Sequence, residues 1–266
     1  MTNSVPASDM TMTPEAFYIS DDGIRLSAVL EYPEEKTTSL VIILHGFGST
    51  KDRPHNIQAA KAMREAGCAT LRFDLYGHGE SGGEFRKHTL FKWISNTLTV
   101  IDWARENGFK RIYLSGHSQG GLAAALTAGM EHDRIKGLIL RAPAFLIPEC
   151  ARKGNMLGNS FDPNHIPDIA VALNGLSLDG NYARTAQMIH VEDAFRFTGP
   201  VLILHGAEDD IVPLDDSRKA SEQYMDCELK VMTGETHHFN RHPEQMMQLL
   251  KDWIVMRDRK WDGADL

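Results

Sequence analysis

The pentapeptide Gly116-His117-Ser118-Gln119-Gly120 lies between two segments of different periodicity. Upstream, Arg111-Ile112-Tyr113-Leu114-Ser115 is a short apolar run of the kind that forms a buried strand. Downstream, Gly121-Leu122-Ala123-Ala124-Ala125-Leu126-Thr127-Ala128 is built from helix formers. A chain that passes from strand to helix in so few residues turns sharply. The residues beside the serine must then carry almost no side chain for strand and helix to pack. Such a turn lifts the Ser118 hydroxyl clear of the sheet and sets it at the positive end of the helix. The pentapeptide alone is a weak pattern; its place between strand and helix gives it meaning.

The same alternation runs through the chain. Two antiparallel strands, near Ala16–Ser20 and Arg25–Tyr32, are turned by Asp21-Asp22-Gly23. Leu40–Leu44, Ala69–Phe73, Ile112–Ser115, Gly137–Leu140 and Val201–His205 read as strands buried on both faces. Helical patterns fall near Pro54–Ala66, Leu90–Asn107, Gln119–Met130 and Pro243–Met256. This order predicts a mostly parallel α/β sheet flanked by helices. From Ala144 to Thr198 the rhythm stops, no clear strand is visible, and Pro, Asn, Gly and Asp accumulate. About 55 residues is too long for a plain connection. Residues 1–143 and 199–266 therefore read as one core, and 144–198 as an inserted cap of short helices and a hairpin. Lying over the carboxyl ends of the strands, where such sheets bind ligands, the cap would shape the substrate pocket.

Composition removes several classes of function. The net charge of −8 argues against nucleic acid as a partner. No apolar run approaches the roughly 20 residues of a membrane helix, so no membrane partner is expected. Met1–Pro14 is polar, without the basic start and apolar stretch of a signal peptide, and the expected compartment is the cytoplasm. Cys68, Cys150 and Cys227 are odd in number and far apart, which predicts neither a disulfide framework nor a zinc site.

A serine hydroxyl needs a histidine to take its proton and a carboxylate to orient that histidine. The strand Val201–His205 is followed by the adjacent acids Glu208, Asp209 and Asp210, in a loop placed to face the site. Before the last helix come His237 and His238. The order serine, acid, histidine is thus present, with each loop offering more than one candidate. A tetrahedral intermediate also needs two backbone N–H donors. One is expected from Gln119, after the serine, and the other from Phe47 in the glycine-flanked loop His45-Gly46-Phe47-Gly48. His45 and His205 read as loop-shaping hydrogen-bonders, and Gly77-His78-Gly79-Glu80-Ser81 as a turn beside the site.

Together His45-Gly46-Phe47-Gly48, Gly77-His78-Gly79-Glu80-Ser81, Gly116-His117-Ser118-Gln119-Gly120-Gly121 and His205-Gly206-Ala207-Glu208-Asp209 resemble the α/β-hydrolase superfamily. Within it the chain resembles the intracellular bacterial cinnamoyl (feruloyl) esterases. Phe161–Asp168, Asn181–Gln187 and Arg196–Pro200 carry that closer likeness. The resemblance implies an α/β-hydrolase fold with an inserted cap. It selects Asp209, through D-x-x-V-P, and His237, through H-x-F, as partners of Ser118. It implies hydrolysis of small-molecule hydroxycinnamate esters through an acyl-enzyme, with no cofactor and no metal; a homodimer is left open. Those esterases read the hydroxyls of the aromatic ring with an acid early in the cap. Here that region is Leu146-Ile147-Pro148-Glu149-Cys150-Ala151-Arg152, where Glu149 is the nearest candidate, with Tyr182 and Gln187 as further substrate contacts. A short-chain carboxylesterase or monoacylglycerol lipase is the competing enzyme, and a non-catalytic binding module the competing class.

Overall fold

A computed structural model describes residues 15–173 and 175–259; the Met1–Pro14 stretch lies outside the described residues. The elements that build the main sheet begin with β1 (Glu15–Asp21), β2 (Ile24–Glu31), β3 (Ser39–Leu44), α1 (Pro54–Glu65), β4 (Ala69–Phe73) and α2 (Leu90–Glu106). They continue with β5 (Arg111–His117), α3 (Gln119–Met130) and β6 (Gly137–Arg141). The segment after β6 holds α4 (Ile147–Lys153), β7 (Asn155–Met156), β8 (Asn159–Ser160), β9 (Ile169–Leu173), β10 (Leu176–Asp179) and α5 (Gly180–Gln187). It ends in a 3-10 turn at Val191–Arg196. The chain then completes the sheet with β11 (Val201–Gly206), α6 (Leu214–Gln223), β12 (Cys227–Met232) and α7 (Pro243–Arg259).

The eight-stranded sheet has the order β1-β2-β4-β3-β5-β6-β11-β12, and β2 alone runs against the rest. Its central strands are buried throughout because both faces are covered. Alternate residues divide between two cores. Leu40, Ile42, Ile112, Leu114, Leu138 and Leu140 face one core, with Trp93 and Ile101 of α2 and Leu122 of α3. Val41, Ile43, Tyr113, Ile139 and Leu204 face the other, with Met63 of α1 and Leu250 and Trp253 of α7. From β3 the chain turns to β4 on one side; β5 then pairs with β3 on the other, with Leu44 beside Gly116. At that reversal the loops after β3 and β5 leave in opposite directions and open a crevice, the place where open α/β sheets bind ligands.

Two elements were not evident in the sequence. β12 is a half-exposed edge strand without an apolar run, and α6 buries only Ser217 and Ala220. In 144–198, where no strand was legible, two short antiparallel pairs form, β7 with β8 and β9 with β10, alongside the helices. α4 and α5 are tied by Arg152, whose Nη1 donates to the carbonyls of Gln187 and Ile189 at 3.0 Å each. The 3-10 turn packs so closely on α3 that a Cβ on Gly129 would meet the Asp193 carbonyl.

Candidate active site

The turn between β5 and α3 is as tight as its glycines require. A Cβ on Gly116 would overlap the Gly120 carbonyl, and one on Gly120 would overlap the carbonyl of His45. Ser118 sits at the apex with φ 55° and ψ −123°, a conformation costly for a residue with a side chain and held here by its surroundings. Its N–H donates to Arg141 O, and its carbonyl accepts from Leu122 and Ala144. Gln119 is the first residue of α3, so its N–H belongs to the helix-start donors that have no partner within the helix.

Asp209 stands just past β11, its side chain fully buried. Oδ1 accepts from the N–H groups of Ile211 and Val212, both at 2.9 Å. Oδ2 lies 2.8 Å from His237 Nδ1. A carboxylate only accepts, so Nδ1 carries the proton, and Nε2 of neutral His237 keeps its lone pair for a hydroxyl proton. Burial works against the charge on Asp209. Hydrogen bonds from His205, His237 and the Val212 N–H outweigh it and hold the carboxyl well below the usual carboxylate range.

His205 is the partner whose part in this arrangement the sequence did not show. Its Nε2 lies 3.0 Å from Val212 O and 3.2 Å from Asp209 Oδ2, both acceptors, and so bears a proton. Its Nδ1 then accepts from the Ser217 hydroxyl at 2.7 Å. His117 plays a parallel part: its Nε2 donates to His237 O at 2.8 Å, which ties the serine turn to the histidine loop. Burial, with the neighbouring His55 and His237, pushes His117 well below its ordinary value, so the ring is neutral.

The loop after β3 is braced from below. His45 Nε2 accepts from the Leu75 N–H at 3.0 Å, and His78 Nε2 from the Gly48 N–H at 3.3 Å. Buried Lys51 bonds Asp74 at 3.0 Å and Glu80 at 2.7 Å. Burial opposes the Lys51 charge, but these carboxylates raise the ammonium well above its ordinary value. Asp74 also accepts from the N–H groups of Lys51 and Glu80. Gly77–Ser81 is thus a strut beneath the Phe47 loop. Lys51 and Asp74 were not singled out in the sequence; the one available signal was an acid at the end of β4 with a lysine just past the glycine loop.

The structure brings Ser118, His237 and Phe47 to one cavity of about 530 Å³, with Asp209 directly behind His237. Gln119 joins them through the backbone only, because its side chain is buried and accepts from Tyr182 OH at 2.7 Å. Among the described residues, Glu149, Tyr182 and Gln187 do not line that cavity. Glu149 is exposed and paired with Arg152 and Lys153 beside a different cavity, next to α6. Tyr182 is buried and spends its hydroxyl on Gln119. Gln187 donates its amide to the carbonyls of Ala151 and Pro163, bonds internal to the segment. Among the described residues there is no group of three metal-ligating side chains, and no helix long and apolar enough to cross a membrane.

A mostly parallel sheet whose β2 alone is reversed, with a strained serine between β5 and α3, defines an α/β hydrolase. The chain belongs to the serine aminopeptidase S33 family, whose profile matches residues 35–190. It is similar to Est1E from Butyrivibrio proteoclasticus, solved with ferulic acid bound. The two are 45% identical over 92% of this chain and 100% of that one, with a TM-score of 0.89. It is also similar to a monoacylglycerol lipase from Mycolicibacterium smegmatis, 25% identical over 88% of this chain and 94% of that protein. A lysophosphatidylserine lipase, ABHD12 of Danio rerio, is 28% identical over 68% of this chain, which spans 46% of that relative. The chain is a serine esterase resembling the bacterial cinnamoyl esterases.

Proposed function

We propose that this esterase hydrolyses hydroxycinnamate esters with Ser118 as nucleophile, His237 as base and then acid, and Asp209 as the orienting carboxylate. The observation that carries the chemistry is the 2.8 Å bond from His237 Nδ1 to Asp209 beside a serine held at φ 55° in the same cavity wall. Ser118 Oγ attacks the ester carbonyl as its proton passes to His237 Nε2. The oxyanion is held by the N–H groups of Phe47 and Gln119. The carbon–oxygen bond to the alcohol then breaks, and the alcohol leaves with the proton from His237. Water, deprotonated by the same nitrogen, attacks the acyl carbon; the bond from that carbon to Ser118 Oγ breaks, Oγ takes the proton back from His237, and the acid leaves. The residues from 144 to 198 act as the cap.

The cinnamoyl preference rests on the ferulic acid bound to Est1E and on the 45% identity to it over 92% of this chain. The test is kcat/KM for methyl ferulate, methyl caffeate, p-nitrophenyl butyrate and a monoacylglycerol. Higher values for the cinnamates support the reading. Cleavage of butyrate or monoacylglycerol with no turnover of cinnamates overturns it and leaves a general carboxylesterase or lipase.

A further inference from the structure

Arg141, the last residue of β6, is 0% exposed and faces no carboxylate. Alternation along the strand turns it to the face of Ile139, against α1. Burial lowers its guanidinium to about 9, and among the described residues no charged group counters that pull. It is still a cation near neutral pH. Nη1 donates to His55 O at 3.0 Å and Nη2 to Asn56 Oδ1 at 2.9 Å, both neutral acceptors. Nε is buried with no acceptor among the described residues. A buried charge without a counter-charge is costly, and an apolar side chain would fill the same place more cheaply. Packing alone therefore does not account for it.

The bonds of Arg141 join two parts of the site that come from different loops. Its backbone carbonyl accepts from the Ser118 N–H at 3.0 Å. Its guanidinium holds the carboxamide of Asn56, which is also fully buried. The other end of that carboxamide, Nδ2, donates to Thr50 O at 3.0 Å. Thr50 stands in the loop after β3, shortly past Phe47, and a bond from the Ser49 N–H to Gly46 O closes the turn between them. The loop passes close to the serine: a Cβ on Gly46 would lie 3.1 Å from Ser118 Cβ. The Lys51–Asp74 strut holds this loop from the end of β4. Asn56 and Arg141 hold it from β6, the strand that also takes the Ser118 N–H.

We infer that Arg141 is a positioning residue for the reaction: through Asn56 and Thr50 it fixes the Phe47 N–H relative to Ser118. A guanidinium suits the task because one planar group holds two acceptors in set directions. The inference rests on the roles proposed for Ser118 and Phe47, but not on the identity of the acyl group. A misplaced oxyanion donor weakens the transition state and spares the bound ester, so kcat falls while KM stays.

The experiment uses two variants. Arg141→Met keeps most of the bulk and removes the fork. Asn56→Asp keeps an acceptor for Arg141 and removes the donor to Thr50. It also gives the guanidinium a counter-charge, so it carries the test even where Arg141→Met does not fold. Active sites are labelled to completion with a fluorophosphonate and counted, and kcat per labelled site is read with p-nitrophenyl butyrate and methyl ferulate. The expected result in both variants is a fall of about 10- to 100-fold, less than for outright removal of an oxyanion donor. KM should stay within about 2-fold of wild type. An alkyl trifluoromethyl ketone, which the serine converts to a tetrahedral adduct, should lose affinity by the same factor as kcat. A merely loosened fold lowers the number of labelled sites and leaves the per-site kcat and the ketone affinity unchanged. That result overturns the inference, as does a loss carried in KM with the ketone unaffected. Wild type that the fluorophosphonate leaves unlabelled fells the proposed nucleophile and this inference with it; labelled Ser118 with unchanged variants fells the inference alone.

Discussion

The serine turn and the 144–198 segment differ in what holds them. Around Ser118 each position is fixed by several constraints at once. Gly116 and Gly120 face backbone carbonyls, and the serine N–H is bonded to β6. Asp209 takes bonds from two N–H groups and two histidines. In the 144–198 segment the polar side chains mostly bond one another or nearby backbone, as Arg152, Gln187 and Arg184 do. Two bonds reach from this segment to the serine turn, Tyr182 OH to the Gln119 side chain and the Ala144 N–H to the Ser118 carbonyl. The serine turn is thus fixed by the sheet, whereas the 144–198 segment is held mostly by its own bonds.

The comparison can be broken most decisively at the carboxylate. Asp209→Asn keeps the size but permits the wrong tautomer of His237, and kcat should fall by about 10⁴. His205→Phe removes one hydrogen bond to the same carboxylate, worth about 1.5–3 kcal/mol, so a loss of about 10- to 100-fold is expected. The pH dependence of kcat/KM should also shift, which a purely structural lesion would not cause. Unchanged kinetics in His205→Phe would mean that the bonds from Val212, Ile211 and His237 suffice.

Gly120→Ala tests the packing rather than the chemistry. Its methyl has to displace the His45 carbonyl, and a cost of about 3 kcal/mol or more is expected in urea unfolding. An alanine at Gly158, where a Cβ would meet nothing, serves as the control within the 144–198 segment, although its φ of +76° adds some strain there too.

Acid should weaken the sheet-borne region. Burial, with help from neighbouring histidines, pushes His45 and His117 far down, His55 to about 2 and His88 to about 3. These rings are neutral in the fold but bind protons near pH 6.5 once unfolded. Below that pH the unfolded chain therefore holds more protons, and stability falls as pH drops toward 3. Denaturation midpoints from pH 7.5 to 4.5 should decline, with a shallower slope in His88→Phe. A flat profile would contradict the neutral, buried assignment.

The smallest effects belong to the segment. Tyr182→Phe loses one buried hydrogen bond and leaves the Gln119 amide oxygen without a donor, for a cost of about 1–3 kcal/mol. Glu149→Gln, on an exposed side chain paired with Arg152 and Lys153, should leave KM for methyl caffeate unchanged. A raised KM in Glu149→Gln would restore that residue as a reader of the aromatic ring.

What was legible in the sequence follows the same division. A sharp turn, a strand end and a proton relay each demand particular residues at particular spacings. Gly116, Ser118 and Gly120 are visible for that reason, Asp209 and His237 stand out from their acidic and histidine neighbours only through the family resemblance, and the buried strands β3 to β6 and β11 show as apolar runs. α6 and β12 bury too little on one face to leave a pattern. Glu149, Tyr182 and Gln187 were expected as substrate contacts from likeness alone. Their partners are chosen by tertiary packing, which a local sequence does not encode. His205 and the Lys51–Asp74 strut have ordinary local sequences, and their meaning arises only when distant loops meet.

The most direct test of the account is rapid quenching of the enzyme during turnover of methyl ferulate, followed by mass spectrometry of its peptides. The account predicts a feruloyl group on the peptide that contains Ser118, absent in Ser118→Ala together with all turnover. Continued turnover in Ser118→Ala, or an acyl group found on another residue, would contradict it.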